Sequence, residues 1–179
     1  MILVLQPLGD ISKEKVKFTK TEIDSFYVFD SIIILAKKEL PAMAWYEPRK
    51  RYVSDSLLVF LKTLKPANAN YLLGLTDKDI ATEKGDNPNY GIMGQGYCPG
   101  NSCVVSTFRL NKKALSKNIF WDRFSKVVLH ELGHNFGLPH CEENDSCLMN
   151  DADGTIKQVD KERKYLCTEC LKITSVHTR

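Results

Sequence analysis

The residues with the clearest chemical potential lie at positions 130–140, which read His-Glu-Leu-Gly-His-Asn-Phe-Gly-Leu-Pro-His. Residues four apart share one face of a helix, so His130 and His134 can direct their imidazoles at one metal ion, with Glu131 beside it. Gly137 can adopt a left-handed turn and Pro139 disfavours helix just before it, so the chain can return His140 to the same ion.

Three imidazole ligands leave one coordination position open, which is typical of a catalytic zinc and not of a structural one. Zinc in such a site lowers the pKa of a bound water to about 7. Glu131 is then expected to act as general base, and afterwards as general acid, in the hydrolysis of a peptide bond. The alternative, histidines that merely fall at helical spacing, is weakened by the further fixed positions Gly137 and His140.

A second set of candidate metal ligands begins directly after His140. It consists of four cysteines, which are Cys141, Cys147, Cys167 and Cys170. Four thiolates form a closed tetrahedral zinc site, which stabilises a fold but leaves no position for substrate. Disulfides are the alternative, and the choice depends on the cellular compartment. The N-terminal run has no basic leader and no apolar stretch reaches the length of a membrane span, so we expect a cytoplasmic protein with zinc on these cysteines.

We therefore expect two zinc ions per chain, one catalytic and one structural. Because Cys141 directly follows His140, the structural ion is expected to hold the loop that presents the third histidine. Cys98 and Cys103 are close enough in sequence for a loop disulfide, but free thiols are the simpler expectation in a reducing compartment.

Met149 comes two residues after Cys147, and a long zinc motif followed by a methionine is the mark of the metzincin clan of zinc peptidases. The stretch resembles the archaemetzincins, in which a Cys-x-x-Cys pair follows the methionine after seventeen residues, as Cys167 does here. In one departure, five residues separate Cys141 from Cys147, where the family pattern has four.

Weaker similarity to this family extends upstream through residues 71–77 and 104–110. The resemblance implies that Met149 forms a hydrophobic floor under the catalytic zinc without binding it. It also implies that the four cysteines hold a second zinc. Without the resemblance, Met149 would be interpreted as ordinary core.

Apolar runs at residues 2–5, 31–35 and 70–75 predict buried strands, and residues 51–64 carry apolar side chains at helical spacing. The alternation predicts an α/β fold of zincin-like α+β type, with a twisted, mostly parallel sheet and helices packed against it. Residues 102–110 are expected to add an antiparallel edge strand.

The helix that carries the zinc motif is expected to begin at an N-cap, Asp122, and to pack an apolar stripe on the sheet. The stripe consists of Phe124, Val127, Val128 and Leu132. Its ligand face would then look into a cleft. Along the expected edge strand, a peptide substrate would pair with Val104, Val105, Ser106 and Thr107, although a plain sheet edge is the alternative.

The length predicts a single metallopeptidase domain over residues 1–179. Its upper part, residues 1–140, would hold the sheet and the zinc helix, and its lower part, residues 141–179, a small subdomain with Met149 and the four-cysteine zinc site. His177, in the C-terminal tail, is expected on the surface.

A net charge of +3 is too small to require nucleic acid, and the basic cluster at residues 49–51 is expected to be solvated surface. The expected partner is thus a peptide or protein substrate of a monomeric enzyme, with no nucleic acid and no membrane. We predict a zinc metallopeptidase, either an aminopeptidase or a restricted endopeptidase. The alternative is a non-catalytic zinc-binding interaction module, which would have no need of Glu131.

Overall fold

The structure, a computed structural model, describes residues 1–174 and 178, so the expectation for His177 lies outside the described residues. The strands are β1 (Ile2–Pro7), β2 (Ser31–Ile34), β3 (Trp45–Tyr46), β4 (Arg51–Val53), β5 (Tyr71–Thr76), β6 (Ile80–Lys84), β7 (Asn87–Ile92), β8 (Gly94–Gly96) and β9 (Ser102–Ser106). The α-helices are α1 (Lys13–Phe26), α2 (Ser54–Leu64), α3 (Lys117–Asn135), α4 (Ile156–Lys161) and α5 (Thr168–Ile173).

The main sheet has five strands in the order β2-β1-β5-β9-β8. The first four run parallel to one another, and β8 is antiparallel to β9. The three apolar runs predicted as strands are confirmed as β1, β2 and β5. The expected architecture is therefore present, a mostly parallel sheet with an antiparallel strand at one edge.

Alternate side chains of the central strands enter two separate cores, as the period of two requires. Leu3, Leu5, Leu73 and Leu75 pack with helices α1 and α3 on one face. Val4, Leu72 and Val104 pack with α2 on the other face. Gly74 allows α2 to approach closely, because a Cβ at this position would lie 2.6 Å from Cδ1 of Leu61.

The edge strand is not the one expected from the sequence. Strand β9 ends at Ser106 and lies inside the sheet, because Val104 and Val105 are paired with β5 on one side and with β8 on the other. The chain leaves the sheet at Thr107, whose amide donates to the carbonyl of Thr76. Strand β8, with the sequence Gly-Gln-Gly, forms the antiparallel edge instead.

A second, four-stranded sheet was not predicted and has the order β3-β4-β6-β7. Residues 51–53, expected at the start of a helix, form β4 and pair in parallel with β6, and the helix begins only at Ser54. The hairpin of β6 and β7 is held to the body of the protein by the buried Asp79. This carboxylate binds Arg51 and Arg109, each with an N–O distance of 2.7 Å.

The zinc-motif helix α3 begins earlier in the chain than expected, by more than one and a half turns. Its N-cap is Ser116, whose hydroxyl accepts a hydrogen bond from the amide of Ile119. Asp122 lies within the helix and forms an ion pair of 2.6 Å with Lys126. The predicted apolar stripe is buried as expected, so the back of α3 packs on the sheet.

The segment after α3 forms turns and the short helices α4 and α5. Its buried side chains, among them Leu148, Met149, Val159 and Leu166, belong to the same core cluster as α1, α3 and the sheet. Within the described residues, no helix combines the length and the apolar character needed to cross a membrane.

Candidate metal centres

Three histidines converge at the C-terminal end of α3. Their ring centroids are separated by 4.6 Å for His130 and His134, 4.9 Å for His134 and His140, and 5.5 Å for His130 and His140. One ring nitrogen from each lies within 4.8 Å of the others. Three imidazole nitrogens at this spacing fit the ligand set of a single zinc ion that keeps an open position.

The chain reaches His140 because it turns sharply at Gly137, two residues after the end of α3, where φ is 89°. The amide of Gly137 donates to the carbonyl of His134, and the amide of Leu138 donates to that of Gly133. Glycine adopts this left-handed conformation without the steric cost that a Cβ would add. The sequence therefore predicted both the turn and its consequence, the approach of the third histidine.

Two of the imidazoles are fixed by the main chain. The Nδ1 atoms of His130 and His134 lie 2.8 Å from the carbonyl oxygens of Leu148 and Leu138, respectively. A carbonyl accepts only from a protonated nitrogen, so each Nδ1 carries the hydrogen and each Nε2 lone pair is available to a metal. Nδ1 of His140 lies 3.6 Å from Oδ2 of Asp151, which gives the third ring a carboxylate neighbour.

The surroundings favour neutral imidazoles, the form that binds metal. Burial, reinforced by the neighbouring His134, lowers the pKa of His130 to about 3. Burial also lowers the pKa of His134. The two helical histidines are therefore held in their ligand form across the physiological pH range.

Glu131 lies directly under the edge strand β8. Its side chain is 6% exposed, and burial raises its pKa to about 8. A Cβ on Gly94 would lie 2.5 Å from Oε1 of Glu131, and one on Gly96 would lie 2.8 Å from its carbonyl oxygen. The two glycines thus allow β8 to lie directly on α3. With the three histidines, Glu131 lines a cavity of about 280 Å³.

The four predicted cysteines form a second cluster and are all buried. The Sγ atoms of Cys141 and Cys167 are 3.6 Å apart, and those of Cys147 and Cys170 are 3.7 Å apart. Four thiolates around zinc, with bonds of about 2.3 Å, would be separated by about 3.8 Å in a regular tetrahedron. The extra residue between Cys141 and Cys147 has not prevented this arrangement.

All six cysteines are free, including Cys98 and Cys103. The thiol of Cys98 donates to the carbonyl of Leu138, the same oxygen that anchors His134. Cys103 is buried in the sheet. The expectation of free thiols at this pair agrees with the structure.

Met149 lies beneath the zinc-motif helix. It is fully buried, and a Cβ added to Gly133 would lie 2.5 Å from its Sδ. Its carbonyl accepts a hydrogen bond of 2.8 Å from the amide of Cys141, the residue after His140. Met149 thus contacts the helix that carries two of the histidines and binds the segment that presents the third.

The predicted substrate-binding residues are misplaced. Val104, Val105, Ser106 and Thr107 are at most 2% exposed, and β8 covers the edge at which a peptide was expected to pair. These residues therefore cannot receive a substrate strand. The edge available beside Glu131 belongs to β8, which sequence reasoning missed because Gly-Gln-Gly has low β-propensity.

Sequence reasoning also missed four titratable side chains that line the cavity, which are Lys84, Tyr90, Asp151 and Glu162. Lys84 and Tyr90 come from the β6–β7 hairpin, and the other two come from the segment after Met149. Lys84 forms an ion pair of 2.6 Å with Asp153. No local spacing links these residues to the histidines, so only the fold brings them together.

The sequence matches the profile of peptidase family M54 over residues 13–175. It is 31% identical to the archaemetzincin of Halobacterium salinarum over 172 residues, which cover 92% of this chain and 94% of the relative. It is 32% identical to the archaemetzincin of Methanocaldococcus jannaschii over 176 residues, which cover 96% of this chain and 92% of the relative.

Two solved structures share the fold. The archaemetzincin of Archaeoglobus fulgidus, complexed with malonate, matches with a TM-score of 0.80 and 26% identity, covering 97% of this chain and 99% of that one. The archaemetzincin of Methanopyrus kandleri matches with a TM-score of 0.81 and 29% identity, covering 97% and 92%. With its clusters of histidines and cysteines, the chain belongs to the archaemetzincins, the zinc metallopeptidases of family M54.

Proposed function

We propose that this archaemetzincin hydrolyses peptide bonds with one zinc ion held by His130, His134 and His140, and with Glu131 as general base and acid. The observation that carries the proposal is the position of Glu131. Its carboxyl group lines the same cavity as three imidazoles whose available nitrogens converge. Such a site contains both a set of imidazole ligands for a metal ion and a carboxyl group that can accept and donate a proton.

Zinc bound by the histidines would polarise the scissile carbonyl and the attacking water. Glu131 accepts a proton from that water and then donates it to the leaving amine. Burial under β8 supports both roles, because it raises the pKa of Glu131 toward neutral pH and keeps bulk water away from the carboxyl group. Met149 supports the site from below, packed against Gly133.

The edge strand β8 is the proposed binding surface for the substrate main chain. An extended peptide pairs antiparallel with such an edge. In that orientation, residues N-terminal to the scissile bond lie beside Gly96, and residues C-terminal to it lie beside Gly94 and Met93. The proximity of Gly94 to Glu131 supports a scissile bond at this point of the strand.

Contacts within the protein bridge the part of the cleft that would receive substrate residues C-terminal to the scissile bond. Nζ of Lys84 lies 2.6 Å from the Asp153 carboxylate, and the hydroxyl of Tyr90 donates to the carbonyl of Asp153 over 2.6 Å. These contacts join the β6–β7 hairpin to the segment after Met149. We therefore propose that the enzyme acts on short peptides or on a restricted set of sites, as an aminopeptidase or a selective endopeptidase.

We propose that the four cysteines hold a second zinc ion with a structural role. Sulfur separations of 3.6 and 3.7 Å support a tetrahedral thiolate site over disulfide bonds, whose sulfurs lie near 2.05 Å. Such a site is characteristic of reducing compartments, so the proposed location is the cytoplasm. Separately, the proposed active form is a monomer that binds no nucleic acid.

The test of this function combines metal analysis with peptide cleavage. The wild type should contain about two zinc ions per chain, and His134→Ala about one, with cleavage of a mixed peptide library lost. Glu131→Gln should keep both ions and lose cleavage. One zinc that is unaffected by His134→Ala would contradict the histidine site, and two zinc ions without any cleavage would favour the non-catalytic binding module.

A further inference from the structure

We propose that Glu162 selects substrates with a basic side chain at the residue that follows the scissile bond. This inference rests on the proposed function, because it concerns the same cleft. Glu162 takes no part in metal binding or in the proton transfers assigned to Glu131. It is a buried acidic group within the active-site cavity that the chemistry leaves unused.

The position of Glu162 in the cavity defines the part of the substrate that it meets. Val127, one turn before His130 on α3, and Val159, on α4, form apolar walls of the cavity together with Met93 and Ala152. Met93 immediately precedes β8. A peptide antiparallel to β8 places the residue after the scissile bond toward this end of the strand, so its side chain would enter the cavity that Met93 and Glu162 both line.

Glu162 is only partly satisfied by its neighbours, since the charge of Lys126 and a hydrogen bond from the side chain of Gln158 stabilise its ionised form. It is 4% exposed, and its Oε1 has no hydrogen-bond partner among the described residues. It forms no ion pair with any residue that the structure describes. A buried carboxyl group in this condition is costly unless something else satisfies it. A cationic substrate side chain would supply the missing donor and charge.

The neighbouring cations are engaged elsewhere. Nζ of Lys126 lies 2.6 Å from Asp122 and donates to the carbonyl of Val159 over 3.1 Å. Arg123 makes two hydrogen bonds to Asp160, of 2.7 and 2.8 Å. Each forms its ion pair with another carboxylate, and neither forms one with Glu162. Burial raises the pKa of Glu162 to about 7, against the opposing charge of Lys126, so a substantial ionised fraction is present at neutral pH.

The rest of the cavity fits a long basic side chain better than an acidic one. Its apolar walls would cover the methylene groups of lysine or arginine, while the charged end reaches the carboxylate. Asp151 adds a second negative group to the lining. Lys84 is the one cation among the lining residues, and it is paired with Asp153.

The experiment compares two succinyl hydroxamates that differ only in the side chain next to the zinc-binding group, aminobutyl in one and butyl in the other. Their dissociation constants are measured by calorimetry on the zinc-loaded protein. The wild type should bind the aminobutyl compound about tenfold more tightly, the effect expected of a charge-assisted hydrogen bond. Glu162→Gln should abolish this preference, and Glu83→Gln, which removes an exposed carboxylate of β6, should leave it unchanged.

A wild type that binds the butyl compound equally well or better overturns the inference, whatever the behaviour of the variants. This comparison also decides the matter if Glu162→Gln does not fold. An unchanged preference in a folded, zinc-containing Glu162→Gln overturns it as well.

Cleavage of a peptide library by the wild type separates this inference from the proposed function. Peptides cut without any preference for lysine or arginine after the scissile bond refute the inference and leave the function standing. Tight binding of the aminobutyl compound together with a failure to cut any peptide refutes the function and leaves Glu162 as a recognition residue.

Discussion

At the scale of single residues, the site depends on how closely β8 lies on Glu131. A Cβ on Gly94 would lie between 2.5 and 2.8 Å from Oε1, Cγ and Cδ of Glu131. All three atoms belong to the side chain, so the carboxyl group would move while the helix stayed in place. The orientation of Glu131, the proposed general base, therefore depends on a glycine that has no side chain of its own.

Gly94→Ala is accordingly expected to lower kcat/KM by at least about tenfold, because displacement of a catalytic group by about an ångström costs this much or more. The zinc content should stay at the wild-type value, since the three atoms nearest to the added methyl group all belong to Glu131. Steady-state kinetics and metal analysis on the same preparation check both statements. Wild-type kinetics in Gly94→Ala would contradict the assigned position of Glu131.

The histidine cluster could be predicted from sequence because its geometry is local. His130 and His134 share a helix, and Gly137 brings back His140 within a few residues. The four cysteines were recognised as a set, although their convergence required the chain to fold. Glu162 could not be predicted, since it follows His130 by thirty-two residues and carries no spacing that links it to the motif.

At the scale of elements, prediction succeeded where burial alone decides the structure. Strands β1, β2 and β5 are continuous apolar runs, and such runs indicate parallel strands covered on both faces. Strand β8 has no such signal, because it is defined by its pairing with β9 and by the close approach of α3. The sequence prediction therefore took β9 as the edge, although β9 lies one strand inside the sheet. The predicted substrate contacts were placed on that inner strand for the same reason.

An ion pair between Arg123 and Asp160 contributes to the junction between α3 and α4. Arg123 is 3% exposed and binds the half-exposed Asp160 through two hydrogen bonds, and it also donates to the carbonyls of Leu110 and Lys112. Asp160→Asn would leave the buried guanidinium with a weaker partner. We expect a loss of about 1–2 kcal/mol in the free energy of unfolding by urea, with Asp86→Asn in the exposed β6–β7 turn as the control.

The pH dependence of this loss has a definite sign. Hydrogen bonds from Arg123 hold the pKa of Asp160 below its usual value of 3.8. The stabilisation is therefore complete above the unfolded-state pKa and is lost as the pH falls through the folded-state pKa. The difference between wild type and Asp160→Asn should be constant near neutral pH and shrink in acid. A difference that grows in acid would contradict the ion pair as its origin.

At the scale of the whole molecule, one core joins the parts on either side of the cleft. Side chains of the sheet, of α1 and α3, and of the segment after His140 belong to one cluster, which supports the proposal of a single domain. The cysteine site lies within this arrangement. Cys141 adjoins His140, and its amide donates to the carbonyl of Met149. We therefore expect the position of the third histidine to depend on the cysteine cluster.

Cys170→Ser tests this dependence. Loss of one thiolate should release the structural zinc and loosen the segment that presents His140, so the histidine site should also bind zinc about tenfold more weakly, as when an outer support of a metal ligand is removed. The zinc retained against increasing concentrations of a chelator measures both sites. Cys98→Ser is the matched control, because its hydroxyl can still donate to the carbonyl of Leu138. A variant that loses only the cysteine-bound ion, with the histidine-bound ion held as tightly as in the wild type, would show that the two centres are independent.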